Sequence, residues 1–404
     1  MSDPAAQRDF ALDTVRRLRE AGCEALWAGG CVRDALLGKT PKDYDVATDA
    51  TPDRVREVFG KRRTIAVGAA FGVITVLGPK RAGQIEVATF RTEGGYSDGR
   101  RPDRVEFTSA EEDASRRDFT INGLFYDPID ERVIDYVDGQ RDLGAELVRA
   151  IGDPAERFAE DRLRMLRAAR FAASLRFEID PATADAIRAH AAAITDVSPE
   201  RIGAEVKRML TETDPPRAMR LLKETELLSH VLPPLAESEE AYDRAITRLE
   251  RLQGAEAPLA LAALLAGAVE PRQVAAIGRS LRWTNKEIDL VAWLVEHHGG
   301  LDDADTRPWS EVQPLLAADG GAGLVALRRA DGTADAAQAF CEERIDWPAE
   351  KLDPPPLVLG ADLIAAGRRP GPEFSALLKR ARAAQLDGLV STKEEALNLL
   401  NGGE

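Results

Sequence analysis

Cysteine is scarce in this chain: Cys23, Cys31 and Cys341 are the only three in 404 residues, with no CxxC spacing. That excludes an even disulfide framework and leaves the reduced thiols of a cytoplasmic protein as the expectation. Histidine is almost as sparse, and His190, His230, His297 and His298 make no metal-ligand pattern with those cysteines. His297-His298, in a helical-looking stretch, reads as an ordinary structural or surface pair. Long apolar runs are missing too. The longest, near Pro258 to Val269, is too short to span a bilayer. The N-terminal MSDPAAQRDFALDTVRRLREAG has the pattern of an amphipathic helix, not of a signal peptide. No repeat of fixed period is visible. Nor is there a basic excess: 54 Lys and Arg against 69 Asp and Glu give a formal charge of −15. This argues against indiscriminate affinity for nucleic acid. A local exception is residues 157–176, where six arginines face Glu160 and Asp161 for a local +4.

What is present is enough for a large fold. A hydrophobic content of 44% over 404 residues exceeds what one core usually serves, so two or more domains are expected. Residues 1–145 mix helical patterns with β-type runs such as TIAVGAAFGVITVLG and QIEVATFR, separated by glycine-rich turns. From Asp153-Pro154, a cap and first-position pair, the chain reads almost wholly helical, and Ser198-Pro199-Glu200 repeats that start signal. Breaks fall at Asp214-Pro215-Pro216, Pro233-Pro234, Gly299-Gly300 and Pro354 to Pro356. The fold class is therefore α+β: a mixed head followed by an all-helical arm.

The chemistry concentrates in LWAGGCVRDALLGKTPKDYDVAT. If Tyr44 and Val46 lie on a strand, Asp43 and Asp45 project from one face. They would then hold two hard cations about 3.5–4 Å apart, which points to phosphoryl transfer. Gly29-Gly30 supplies a cradle for phosphate oxygens at the start of a helix expected over Cys31 to Leu37. Arg33 adds a guanidinium on its first turn. A strand-edge DxD with solvated carboxylates is the plainer reading of the aspartates alone, and the combination of GG, VRD and DxD outweighs it. Glu86, in IEVATF, reads equally as a third carboxylate on a neighbouring strand or as a strand-face glutamate.

GGCVRDALLG with DYD resembles the first motif of the class II nucleotidyltransferases, the tRNA CCA-adding enzymes and bacterial poly(A) polymerases. RRDFTINGL (Arg116 to Leu124) resembles their second motif and EDRLRMLRAARF (Glu160 to Phe171) the segment that chooses the base. The similarity runs in order from about residue 10 to about residue 210 and is weaker beyond. It implies a DNA polymerase β-like nucleotidyltransferase head over residues 1–145. A helical neck over 146–212, a body over 213–300 and a tail over 301–404 would follow. It also implies Mg²⁺ in a two-metal site on Asp43 and Asp45, and Arg117 on the triphosphate. Asp118 suits a ribose hydroxyl, and Asn122 either the same sugar or a brace of the turn. Arg116 reads equally as a surface charge. Asp135 to Gly139 resembles a third motif, where a hinge or structural role is as good a reading as ligand contact. Arg167 and Arg170 resemble phosphate- and nucleotide-facing arginines. Ser198 to Glu205 resembles a last motif, a helix bracing its neighbour. No His-Asp dipeptide exists to support an added phosphohydrolase domain.

Asp161 and Arg164, three apart, would share a helix face. A carboxylate beside a guanidinium offers an acceptor and a donor, which suits cytosine and adenine. Uracil and guanine would leave buried groups mismatched at roughly 1–3 kcal/mol each. A surface ion pair is the alternative. The activity that the resemblance implies is addition of the 3′-terminal CCA to tRNA from CTP and ATP, with the tail gripping the acceptor–TΨC arm. Addition of A alone and polyadenylation are the alternatives. Gly68-Ala69-Ala70-Phe71-Gly72 lacks the basic pair of the poly(A) polymerases, and Thr92 to Val105 resembles the flexible loop that CC-only enzymes lack. An inert RNA-binding scaffold and a small-molecule nucleotidyltransferase are the readings from other classes; intact aspartates and the helical arm oppose them. Nothing calls for a membrane or an obligate protein partner.

Overall fold

The computed structural model describes residues 3–94, 104–332 and 334–401. The chain divides into two compact units, residues 1–231 and 232–404. The expected head and neck both fall within the first.

Helix α1 (Pro4–Glu20) starts at Asp3, whose side chain accepts from the Ala5 N–H at 3.1 Å. Then come β1 (Ala25–Ala28), α2 (Gly30–Leu36), β2 (Asp45–Thr48), α3 (Pro52–Phe59), β3 (Thr64–Ile65), β4 (Val73–Leu77) and β5 (Gln84–Thr89). A ribbon of β6 (Arg91–Gly94) and β7 (Arg104–Phe107) leads to α4 (Ala110–Ser115), β8 (Phe125–Asp127) and β9 (Arg132–Ile134). The loop expected over Thr92 to Val105 thus lies largely outside the described residues. Seven strands form one sheet in the order β3-β4-β5-β2-β1-β8-β9, in which β2 and β5 run parallel and the other neighbours antiparallel.

Strand periodicity assigns the two faces. Trp27 pairs with Val46, and Val46 with Val87, in register; Arg8 of α1 lies 5.9 Å over the Trp27 ring and so places α1 on that face. On the other face Leu26, Ala28, Ala47, Phe90 and Phe125 form a core with Ala110 and Ala114 of α4. Asp45 stands in register with Ala28 and Glu86 at the start of β2, on this second face.

Beyond residue 145 the first unit is helical except for a parallel pair, β10 (Leu147–Val148) with β11 (Glu178–Ile179). After α5 (Gly139–Gly144) come α6 (Pro154–Glu160), α7 (Leu163–Leu175), α8 (Pro181–His190) and α9 (Pro199–Thr211). Asp153 caps α6 by accepting from the Glu156 N–H at 3.0 Å, whereas the Ser198 side chain makes no such bond at α9. Asp135 accepts from the N–H groups of Val137, Gly139 and Gln140, which makes its motif a turn brace.

In the second unit the described residues form helices only. The apolar run near Pro258 becomes the buried helix Ala257–Leu265. His297 stacks on Trp293 with centroids 4.5 Å apart, and His298 bonds Asp331 at 2.8 Å. No helix among the described residues is long and apolar enough to cross a membrane.

Candidate active site

The two aspartates meet, though not as strand neighbours. β2 starts at Asp45, so Asp43 and Tyr44 precede it. Tyr44 packs against Trp27 on the α1 face, centroids 4.9 Å apart, and this anchor leaves Asp43 and Asp45 both facing a cleft of about 660 Å³. Among the described residues no cation lies within ion-pairing distance of either carboxylate. The desolvating walls of the cleft, then Glu86 and Asp43, push Asp45 up to about 6, against the pull of Arg117. Burial likewise raises the neighbouring Cys31 thiol to about 11, so it stays neutral.

Two hard, uncompensated carboxylates fit a divalent cation whose other ligands are water and phosphate, as Mg²⁺ prefers. Glu86 stands beside Asp45 across the sheet but does not line the cleft. No group of three or more potential metal ligands exists among the described residues, so Glu86 does not complete a ligand triad.

Six arginines and four aspartates line the cleft, which suits a polyanion held beside cations. Gly29 and Gly30 form one wall and differ in kind. Gly29 has φ 70° and ψ −123°, and a Cβ there would meet Arg117 Nη1 at 2.8 Å; at Gly30 the nearest atom would be Arg33 Nη2 at 3.8 Å. Only Gly29 requires glycine on these grounds. Helix α2 then runs from Gly30, one residue earlier than expected, and brings Arg33 round to donate to Asn122 Oδ1 at 2.7 Å.

Asn122 is a hub. Its amide donates to Asp118 Oδ1 at 3.0 Å, and its backbone carbonyl accepts from Arg117 Nη1 at 3.1 Å. Asp118 also accepts from Phe119 N–H at 2.8 Å and from Arg167 Nε and Nη2 at 2.9 and 2.6 Å. Burial alone would raise its pKa, but Arg167 and these bonds outweigh it and hold the carboxyl at about 2. Four accepted bonds use a carboxylate's lone-pair positions, so a ribose hydroxyl reaches Asp118 only if Arg167 gives way.

Asp161 and Arg164 line the same cleft, but the shared helix face expected for them is absent. Glu160 ends α6, Asp161 is extended (φ −143°, ψ 102°) and α7 starts at Leu163. The two do not pair with each other. Asp161 Oδ1 accepts from Leu163 N–H at 3.1 Å and Oδ2 from Arg201 at 2.7 Å. Arg164 Nη1 donates to the Arg157 carbonyl (2.9 Å) and Glu160 (2.6 Å), and Nη2 to the Arg116 carbonyl (3.2 Å). By donor and acceptor count, Asp161 keeps two acceptor positions and Arg164 two donors.

Arg170 does not line the cleft; it pairs with Glu205 of α9 at 2.5 Å. Three lining residues went unassigned in the sequence. Arg116, legible as a surface charge, is pinned inward by Asp113 at 2.6 Å. Phe171 carries Arg33, Arg167 and Arg170 at 5.3, 5.3 and 4.2 Å from its ring centroid. Arg208, 51% exposed, makes only a 3.5 Å pair with Glu205; it sits three residues beyond the last motif residue read from the sequence.

The family described as "Poly A polymerase head domain" matches residues 25–149, and "Probable RNA and SrmB- binding site of polymerase A" matches residues 176–238. A CCA-adding enzyme of Levilactobacillus brevis is 33% identical over 397 residues, covering 96% of both chains. Poly(A) polymerase I of Salmonella typhi is 43% identical over 240 residues, covering 56% of this chain and 50% of its own. The crystal structure of Bacillus stearothermophilus CCA-adding enzyme in complex with CTP superposes with a TM-score of 0.81 at 30% identity, covering 99% of this chain and 98% of that one.

Proposed function

Since the chain belongs to the family of class II tRNA nucleotidyltransferases and bacterial poly(A) polymerases, and is thus a nucleotidyltransferase, we propose that it builds or repairs the 3′-terminal CCA of tRNA from CTP and ATP. The likeness to a CCA-adding enzyme covers 96% of the chain, while that to a poly(A) polymerase covers 56%. Matches over 56% of the chain include a CCA-adding enzyme as well as a poly(A) polymerase, and the match over 96% of it is what favours CCA addition.

The observation that carries the chemistry is the pair of carboxylates, Asp43 and Asp45, that line an arginine-rich cleft with no ion-pair partner among the described residues. These two hold the cations, and Glu86 acts on Asp45 only by keeping it basic. Bound Mg²⁺ ions would ease deprotonation of the attacking 3′-hydroxyl and take up charge on the departing pyrophosphate. The residues do the rest. Gly29 leaves the room in which Arg117, Arg33 and the backbone at Gly30 receive the triphosphate. Arg167 shifts from Asp118 toward the nucleotide, which frees an acceptor for the ribose. Asp161 takes the amino group of cytosine or adenine, and Arg164 donates to the adjacent ring nitrogen. Arg201 and Glu160 hold that pair in place.

The test is incorporation on tRNAs ending at the discriminator base, at C and at CC, with CTP and ATP supplied separately. C should be added to the first two and A to the third. Long A tracts would identify a poly(A) polymerase, and A addition confined to the CC-ended substrate an A-adding enzyme. Asp43→Ala or Asp45→Ala should remove activity, and retention of more than about a tenth would sink the metal assignment. Asp161→Ala should lose activity with CTP and ATP and discriminate less against UTP, and Arg164→Ala should weaken both correct nucleotides. Unchanged CTP/UTP and ATP/GTP ratios in both variants would remove the base-reading role.

A further inference from the structure

Arg116 and Arg117 lead back to one carboxylate outside the cleft. Asp113 of α4 is 1% exposed and accepts from both guanidinia and from a third group. Its Oδ1 receives Arg116 Nε and Nη2 at 2.9 and 2.6 Å and the Arg91 N–H at 3.2 Å. Its Oδ2 receives Arg117 Nε and Nη2 at 3.2 and 3.0 Å. Burial would raise such a carboxyl, but Arg117 and Arg116 outweigh it and hold it below the usual range.

What this does to Arg117 is specific. The side-on fork to Asp113 and the Nη1 bond to the Asn122 carbonyl spend three of the five N–H donors of the guanidinium and leave two. The plane is fixed from three sides, with Phe125 4.8 Å from the guanidinium carbon and Nη1 in the space a Gly29 Cβ would fill. The Arg116 carbonyl, held by the same anchor, accepts from Arg164 at 3.2 Å. Arg91 is the first residue of β6. One buried carboxylate thus joins the ribbon entry to the arginine that faces the glycine wall of the cleft.

We infer that Asp113 is a positioning residue for the nucleotide triphosphate, acting by presenting the two unspent donors of Arg117 to the cleft. This rests on the reading of Arg117 as a triphosphate ligand. A residue that merely fastened α4 would affect all ligands of the cleft alike.

Binding of CTP and of CMP to the full-length chain separates the two, because CMP keeps the base and sugar and lacks the outer phosphates. Asp113→Asn should weaken CTP by about tenfold, the worth of one charge-assisted hydrogen bond, and leave CMP within about twofold. The KM for CTP should rise more than kcat falls. Arg117→Ala should show the same CTP-selective loss, and the double variant should be no weaker than Arg117→Ala alone. Should Asp113→Asn fail to fold, Asp113→Glu is read by the same CTP-to-CMP ratio. Equal loss of CTP and CMP, or loss of neither, overturns the positioning role while Arg117→Ala remains CTP-selective. If Arg117→Ala leaves CTP binding unchanged, the triphosphate reading falls and the inference with it.

Discussion

Two aspartates of one cleft are driven in opposite directions by their neighbours. Asp118 lies against Arg167 and is held at about 2; its contribution to stability is present above pH 4 and is lost as pH falls toward 2. Asp45, desolvated by the cleft and then repelled by Glu86 and Asp43, is raised to about 6. Because its folded-state pKa exceeds the ordinary aspartate value of 3.8, the folded chain binds that proton more tightly than the unfolded chain. Stability from this group is therefore present below pH 4 and is lost as pH rises through 6. The charge that destabilises the empty site is the charge a cation needs. Below pH 6 protons should compete with Mg²⁺, with apparent affinity falling by about tenfold per pH unit. Mn²⁺ binding measured between pH 5 and 8 checks this, and a flat profile would contradict it. At pH 7.5 in chelator, Asp45→Asn should raise the melting temperature above that of the parent. Added Mg²⁺ should then raise the parent and not the variant. A variant that melts lower in chelator would show that Asp45 is not strained by its neighbours.

Among elements, the break between α6 and α7 shapes the wall that carries Asp161 and Arg164, and α9 holds that break open. Arg201 ties α9 to Asp161, and Glu205, 3% exposed, ties it to Arg170, whose side chain is 12% exposed. Glu205→Ala would leave a guanidinium buried without its carboxylate, at a cost of about 3–5 kcal/mol. Glu240→Ala, which removes a solvent-exposed partner of Arg244, should cost less than about 0.5 kcal/mol. Urea unfolding of both variants tests the contrast, and equal costs would mean that α9 is not fastened there. This level also shows what the sequence could carry. The β-runs over 64–78 and 84–91, the Asp153-Pro154 start and the DxD pair were legible because periodicity, caps and short-range spacing encode them. The end of α6 at Glu160 was not, since EDRLRMLRAARF carries no glycine or proline and reads as one continuous helix. Long-range partners decide it: Arg201 is 40 residues from Asp161. Asp113 escaped for the same reason. In a run such as EEDASRRD nothing marks which acid turns inward, and only the packing of α4 against the sheet selects it.

For the whole molecule the proposed function asks how a chain of charge −15 would grip RNA. The second unit makes it sharper, with eighteen basic against twenty-eight acidic residues from Leu232 onward. Any grip on phosphate there must come from a local cluster, and one exists: Arg368, Arg369, Lys379, Arg380 and Arg382 against Glu373. Arg382 is spent on Asp353 at 2.6 Å, whereas Arg369, Lys379 and Arg380 are exposed. If the second unit holds the acceptor arm, replacing these three by alanine should weaken tRNA binding and leave CTP binding alone. Each phosphate left without its protein cation should also flatten the plot of log affinity against log salt by nearly one unit, so the slope should drop by about 2–3. A fragment of residues 1–231 should retain CTP binding, because the cleft lies wholly within that unit, and should bind tRNA far more weakly than the full chain. Fluorescence titration of both proteins at 50 and 200 mM salt is the measurement. A fragment that bound tRNA as tightly as the full chain, or a triple variant with an unchanged slope, would return the grip to the arginines around α7. Net charge would then give the second unit no electrostatic part in holding the acceptor.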